Sequence, residues 1–188
     1  MNYNIFGGKV IDSGGYGCIF KPSITCKNSN KTKKNIVSKL LPSELAIKEH
    51  SKNTLIKQKI KSIPNWKHFF IFSIVSCTPK KLSKKDLKNY TKRCKILNSK
   101  KFTKKNINSK INKLKILQIP YGGSTLEKLV LNNIKDNYSL FPIINNKLII
   151  LLNKAIIPMN KLKIFHLDIK DTNILLGHKY NTKIIDWG

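Results

Sequence analysis

His166, Asp168, Lys170, Asp171 and Asn173 fall within eight consecutive positions, in the stretch HLDIKDTN. A further carboxylate, Asp186, follows eighteen positions after Asp168, behind NTKII and before Trp187 and Gly188. One carboxylate in such a set can orient a hydroxyl nucleophile. A second carboxylate and an amide oxygen can hold a hard cation, which takes oxygen ligands. A lysine ammonium can offset charge that builds on a transferring phosphoryl group. Each of these residues alone reads as a loop side chain capping a turn. Together, at this spacing, they read as phosphoryl-transfer chemistry.

Two earlier stretches bear on the same chemistry. IDSGGYGCIF, Ile11 to Phe20, sets Gly14, Gly15 and Gly17 between two apolar runs. Such a turn lets backbone N–H groups approach phosphate oxygens. Taken alone, a glycine hairpin without a ligand is the better reading. In NIVSKLL, strand alternation points Lys39 the same way as Val37 and Leu41, toward an interior or cleft. An inward ammonium needs a counter-ion, and Glu49 is the available one. The plainer alternative is an edge-strand lysine that snorkels to water.

The elements that must position these groups follow from pattern. GKVID, CIFKP and NIVSKLL read as strands, with the polar SITCKNSNKTKKN as a loop. A helix is expected from Ser43, as N-cap, to about Ile63, with Glu44 in its first turn. At about 100° per residue Leu45, Ile56, Ile60 and Ile63 share a face, and Glu49 falls on it. FFIFSIVSC reads as a buried strand and LKILQIP as another. Between them lies a lysine-rich insertion, part helical, at about 79–113. STLEKLVL reads as a short helix with a Ser124–Glu127 capping box. NKLIILLNKAIIPMNKL reads as a helix with Leu148, Leu152, Ala155 and Met159 on its apolar face, kinked or ended by Pro158.

The 188 residues suffice for one domain or two small lobes, and 40% hydrophobic residues fit a globular chain. No apolar run reads as long enough to cross a bilayer, since the best, KLIILLNKAIIP, is short and holds Asn153 and Lys154. The N-terminus lacks the zones of a signal peptide, which points to a cytoplasmic setting. Cys18, Cys26, Cys77 and Cys94 form no CxxC pair, so zinc is not expected and the thiols are expected to be reduced. The sequence leaves open a meeting of Cys26 and Cys77. The net charge of +28 comes almost wholly from lysine, with Arg93 the only arginine. Base readout favours arginine's bidentate fork, so a solvated lysine surface is preferred over a specific nucleic-acid partner.

Taken in order, these motifs resemble the signature set of the protein kinases. IDSGGYGCIF is similar to the phosphate-covering loop, with Gly14, Gly15 and Gly17 its glycines. Lys39 matches the strand lysine that contacts nucleotide phosphates, and Glu49 its helix partner. HLDIKDTN is similar to the catalytic loop. The resemblance implies Asp168 as base, Lys170 as the phosphate-side lysine typical of serine/threonine kinases, and Asn173 as a metal ligand. DWG is similar to the DFG triplet, with Asp186 the principal Mg²⁺ ligand. LQIPYGGSTLEKL fits the hinge, where backbone near Gln118 to Tyr121 would meet adenine. Ile11, Ile19 and Leu175 match the positions that sandwich the base. The overall style resembles the divergent kinases of large DNA viruses that replicate in the cytoplasm, which implies a host-cytoplasm or virion location.

The resemblance implies an α+β fold. A small antiparallel-sheet lobe with one main helix occupies 1–120, and an incomplete, mainly helical large lobe occupies 121–188. It implies ATP and Mg²⁺ as cofactors, no membrane, and transfer of the γ-phosphoryl group to Ser or Thr hydroxyls. Three substitutions depart from the pattern: Asp12 for the first loop glycine, Leu167 for an arginine that reads activation-loop phosphate, and Trp187 for Phe. The chain is also read as truncated after DWG. A protein substrate or partner chain is then expected to cover the apolar face at Leu148, Leu152 and Met159. The alternative reading is a nucleotide- or partner-binding remnant that transfers nothing.

Overall fold

The computed structural model describes residues 8–29, 35–134 and 138–187. Part of the polar loop, 30–34, and Gly188 of the DWG triplet lie outside the described residues. In chain order the first elements are β1 (Lys9–Ser13), β2 (Cys18–Lys21), β3 (Ile36–Pro42), α1 (Ser43–Ile60) and α2 (Trp66–Phe69). Next come β4 (Val75–Cys77), α3 (Tyr90–Arg93), α4 (Lys95–Ser99), β5 (Leu114–Pro120), β6 (Ser124–Thr125) and α5 (Leu126–Leu129). The last are α6 (Leu140–Leu151), α7 (Ile157–Lys161), β7 (Ile174–Leu176) and β8 (Thr182–Ile184). The fold is mixed α+β, with antiparallel sheets and several helices.

The chain divides into two compact units, Met1–Ser51 with Ser73–Tyr121, and Lys52–Phe72 with Gly122–Gly188. The first unit carries a five-stranded sheet in the order β1-β2-β3-β5-β4. β3 is its centre: six of its seven residues are buried, and it pairs antiparallel with β2 and β5. That burial explains its near-continuous apolar run. Ala46 and Glu49 face inward from α1, three residues apart as a helical face requires. Phe20, Leu40, Tyr90, Leu97, Ile107, Leu114 and Ile116 form the main core of this unit. The insertion is thus part of the packed unit, and burial pushes the Tyr90 phenol well above its ordinary range.

The second unit packs Ile60, Phe70, Phe72, Leu151, Ala155, Met159, Ile174, Ile184 and Trp187 into one core. Its three-stranded sheet runs β6-β7-β8. Gly123 precedes it at φ 116°, and a Cβ there would collide with the Leu176 carbonyl, so glycine is required.

Five expectations need correction. FFIFSIVSC is not one strand: Phe69 ends α2, Phe70 makes an isolated bridge to Ile184, and β4 begins only at Val75. Its buried part, Phe70 to Ser73, lacks a long strand partner and runs as extended chain between elements. The cap of α5 is Thr125, whose hydroxyl accepts from the Lys128 N–H at 3.2 Å, while Ser124 pairs in β6. Of the two outcomes expected at Pro158, a kink or an end, the helix does not end there. A π-helical stretch, Leu152–Ile156, precedes it and the helix runs on through Pro158 as α7, so the irregularity at the proline is the wider turn before it. The wider turn also moves Leu152 outward, to 46% exposed, and leaves Leu151 buried in its place. Joined, these segments make a helix, Leu140–Lys161, of 22 residues, which is long and apolar enough to cross a bilayer. It places Leu151, Ala155 and Met159 in the core of the second unit.

The fifth correction concerns the thiols. Cys18 is bonded to Cys94, and Cys26 to Cys77, with Cα separations of 5.5 and 5.8 Å. Every cysteine is paired. Both bonds lie in the first unit and fasten the loop after β2 and the insertion to the sheet.

Candidate functional site

In the first unit the glycine stretch is a hairpin. β1 and β2 pair antiparallel, with an irregularity at Ile11 that leaves Val10 opposite Phe20 and Asp12 opposite Ile19. The turn closes by the Gly14 N–H donating to the Gly17 carbonyl at 3.0 Å. The three glycines differ. Gly17 is buried, and a Cβ there would run into the Leu40 carbonyl, so packing demands glycine. Gly14 and Gly15 are exposed, and a Cβ on either would meet nothing within 4 Å. Asp12 turns its carboxylate onto the Ser13 N–H at 2.9 Å. Ile11 and Ile19 are half-buried.

Lys39 sits opposite Ile19 on one side and Leu117 on the other. Its ammonium reaches the Glu49 carboxylate at 2.9 Å, and the two side chains are only 7% and 9% exposed. β3 runs almost directly into α1, and Glu49 lies on the buried side of its second turn. The pairing expected from alternation and helical spacing is therefore present. The stretch Gln118 to Tyr121 is partly committed to the sheet: the Gln118 carbonyl accepts from the Ile74 N–H at 2.7 Å and the Tyr121 N–H donates to the Asn35 carbonyl at 2.9 Å.

In the second unit the loop after α7 brings Asp168, Lys170 and Asn173 together. The Lys170 ammonium lies 2.9 Å from one Asp168 oxygen. The Asn173 amide nitrogen donates to the other Asp168 oxygen and to the Asp168 carbonyl, each at 2.9 Å. Asn173 is buried, whereas Asp168 and Lys170 are each more than half exposed. The hydrogen bond from Lys170 acts first in holding the Asp168 carboxyl below its ordinary value. Partial desolvation opposes it, and the Lys170 charge, the Asn173 amide and the His166 charge assist it. Lys170 is correspondingly raised, chiefly by its hydrogen bond to Asp168, with partial desolvation opposing and the charges of Asp168, Asp186 and Asp171 assisting.

β7 and β8 bring Asp186 to the same end of this unit. They pair antiparallel from Leu176–Thr182 to Ile174–Ile184. Beyond that last pair the Ile185 N–H donates to the Asn173 carbonyl at 3.1 Å. Asn173 and Asp186 therefore flank one end of a hairpin. Asp186 itself has a left-handed backbone, φ 65°. Leu175, half-buried, lies in β7 opposite Thr125 and Lys183.

Trp187 and His166 hold this arrangement, and the sequence reading assigned neither a positioning role. Trp187 stacks on Phe72 at 4.9 Å and its indole N–H donates to the Ile71 carbonyl at 2.9 Å. His166 meets the Trp187 ring edge-on at 4.7 Å, and its Nε2 lies 2.9 Å from the Ile185 carbonyl. A carbonyl only accepts, so Nε2 carries the proton. His166 thus ties the loop bearing Asp168 to the strand end bearing Asp186. The adjacency of His166 to Asp168 was its one sequence signal.

Among the described residues no group of three or more His, Cys, Asp or Glu side chains gathers as a metal cage. Mg²⁺ is commonly held by one or two protein oxygens, with waters and substrate phosphates completing the shell. The Asp186 carboxylate and the Asn173 amide oxygen fit that smaller set. The chain matches no protein-family model and no curated protein sequence.

Proposed function

We propose that this chain is a protein kinase-like protein that binds ATP with Mg²⁺ and transfers the γ-phosphoryl group to Ser or Thr hydroxyls. The observation that carries the reading is the Asp168–Lys170–Asn173 cluster beside Asp186, formed by residues that the kinase pattern names in that order. The buried Lys39–Glu49 pair supports it independently. Bound Mg²⁺ would neutralise charge on the phosphates.

The chain's own groups have distinct tasks. Asp168, kept ionised by Lys170 and Asn173, would accept a hydrogen bond from the attacking hydroxyl and orient it. Lys170 would stabilise negative charge on the transferring group, and Lys39, oriented by Glu49, would bind nucleotide phosphate. Asn173 and Asp186 would hold the metal. The glycines at 14 and 15 are required neither by packing nor by a positive φ, which suits close approach of a phosphate. Ile11, Ile19 and Leu175 remain the candidates for apolar contact with the base.

The test is label transfer from γ-labelled ATP with magnesium to a generic basic protein. Transfer by the wild-type chain and its loss in Asp168→Asn are expected. Nucleotide binding without transfer, unchanged in Asp168→Asn, would select the non-catalytic binding module instead.

A further inference from the structure

We propose that the insertion at 79–113 is a binding site for a compact polyphosphate anion, seated in a cleft that the kinase-like residues do not use. The cleft measures about 600 Å³ and is lined by Thr91, Lys95, Asn98, Thr103, Lys104 and Lys105. Thr91 and the three lysines are exposed, so the cleft is open to solvent and to a hydrated anion.

The charge of the insertion is one-sided in a specific way. It contains fourteen basic residues and a single acid, Asp86. Asp86 is buried and turned inward, where it accepts from the Gly8 N–H at 2.6 Å, the Ser83 N–H at 2.8 Å and the Ser83 hydroxyl at 2.7 Å. No carboxylate of the insertion is left on its surface to pair with its lysines. Like charges gathered around a concavity repel one another and focus a positive field into it. An anion in the cleft relieves both effects, and lysine ammoniums with threonine hydroxyls are suitable phosphate donors.

The lining rests on ordered chain. Cys94 is disulfide-bonded to Cys18, and Tyr90, Leu97, Ile107 and Ile111 are buried in the core. The Tyr90 hydroxyl donates to the Phe102 carbonyl at 2.7 Å, just before Thr103. The Asn98 amide donates to the Cys94 and Thr91 carbonyls at 2.8 and 3.3 Å, and Asn106 accepts from the Thr103 N–H at 2.9 Å. Backbone on both sides of the cleft is held by these bonds.

The same residues argue against nucleic acid as the occupant. Single-strand binding uses exposed aromatic faces on which bases stack. The two aromatics of the insertion are Tyr90, fully buried, and Phe102, packed against the core. Its one arginine, Arg93, donates to the Ile11 carbonyl at 3.4 Å. The exposed Tyr16 ring, 6.0 Å from the Lys100 ammonium, is not part of the cleft lining, so the cleft itself offers contacts for phosphate and no face for base stacking.

The test is calorimetric titration of the full chain, at physiological salt, with tripolyphosphate and separately with inositol hexakisphosphate. Saturable binding of either supports the site, and the tighter probe tells a linear from a ring scaffold. The variant Lys95→Gln/Lys104→Gln/Lys105→Gln should weaken binding at least ~10-fold, because it removes the charges on the cleft rim, within a Debye length of the bound anion. A control with equal charge loss on exposed positions elsewhere, Lys48→Gln/Lys59→Gln/Lys61→Gln, should stay within about twofold on the same grounds. Equal weakening in the two variants would overturn the site in favour of a diffuse field. So would tighter binding of a single-stranded oligonucleotide of matched charge, or no saturable binding by the wild-type chain. Binding that persists in Lys39→Met/Glu49→Leu keeps this site separate from the proposed nucleotide function.

Discussion

The Lys39 ammonium lies 2.9 Å from the Glu49 carboxylate, and less than a tenth of either side chain is exposed. Removing one partner of such a pair leaves an uncompensated charge in the interior, which typically costs about 3–5 kcal/mol. Glu49→Ala should therefore destabilise strongly in urea unfolding. The double variant Lys39→Met/Glu49→Leu should recover most of the loss, since no buried charge remains. A Glu49→Ala effect below ~1 kcal/mol would show an exposed, screened pair instead.

Asp168 and Lys170 hold one another in their charged forms, so their titrations should move apart. The depressed Asp168 carboxyl adds stability that is present above the ordinary carboxylate range. That stability is lost as pH falls through the lowered folded value. The raised Lys170 ammonium contributes below the ordinary lysine value and loses its contribution as pH rises through the raised one. Side-chain carbon NMR should find the Asp168 midpoint below that of an ordinary aspartate, and Lys170→Met should move it up. No movement would remove Lys170 as the dominant partner.

Peptide mapping without reduction should recover Cys18 joined to Cys94 and Cys26 joined to Cys77. These bonds close long loops, 76 and 51 residues apart in sequence. Loop-closure entropy gives each a stabilisation of about 4 kcal/mol. Reduction should lower the melting temperature accordingly. Free thiols in the folded chain would contradict the pairing.

Much of this was legible in local pattern. β1, β2, β3 and β5 follow apolar runs bounded by turn residues, and the inward aim of Lys39 and Glu49 follows from the two periodicities of strand and helix. The misses have physical causes. Cysteine pairing is decided by tertiary proximity and leaves no local trace. The π-helical stretch Leu152–Ile156 breaks the period of 3.6, which is why Leu152 and not Leu151 was read as core. Phe70 to Ser73 is buried by neighbouring elements rather than by a strand ladder, so composition alone resembled a strand. Trp187 enters the sequence pattern only as a substitute for Phe, whereas its N–H and its ring edge also fix Ile71 and His166, contacts that depend on tertiary proximity.

The glycine hairpin separates packing from ligand contact. Gly17→Ala should destabilise by roughly 1–3 kcal/mol, because the added methyl meets the Leu40 carbonyl. Gly15→Ala should leave thermal stability nearly unchanged, since its Cβ enters open space, yet weaken ATP binding. Unchanged affinity in Gly15→Ala would detach the hairpin from phosphate.

The most direct measurement is calorimetric titration of the full chain with ATP in the presence and absence of magnesium. The kinase-like reading predicts magnesium-dependent binding that weakens at least ~10-fold in Asp186→Ala and in Lys39→Met/Glu49→Leu, which leaves no buried charge unpaired, as expected when a charged phosphate or metal contact is lost. Saturable ATP binding that ignores magnesium and both substitutions would contradict it, as would no binding by the wild-type chain.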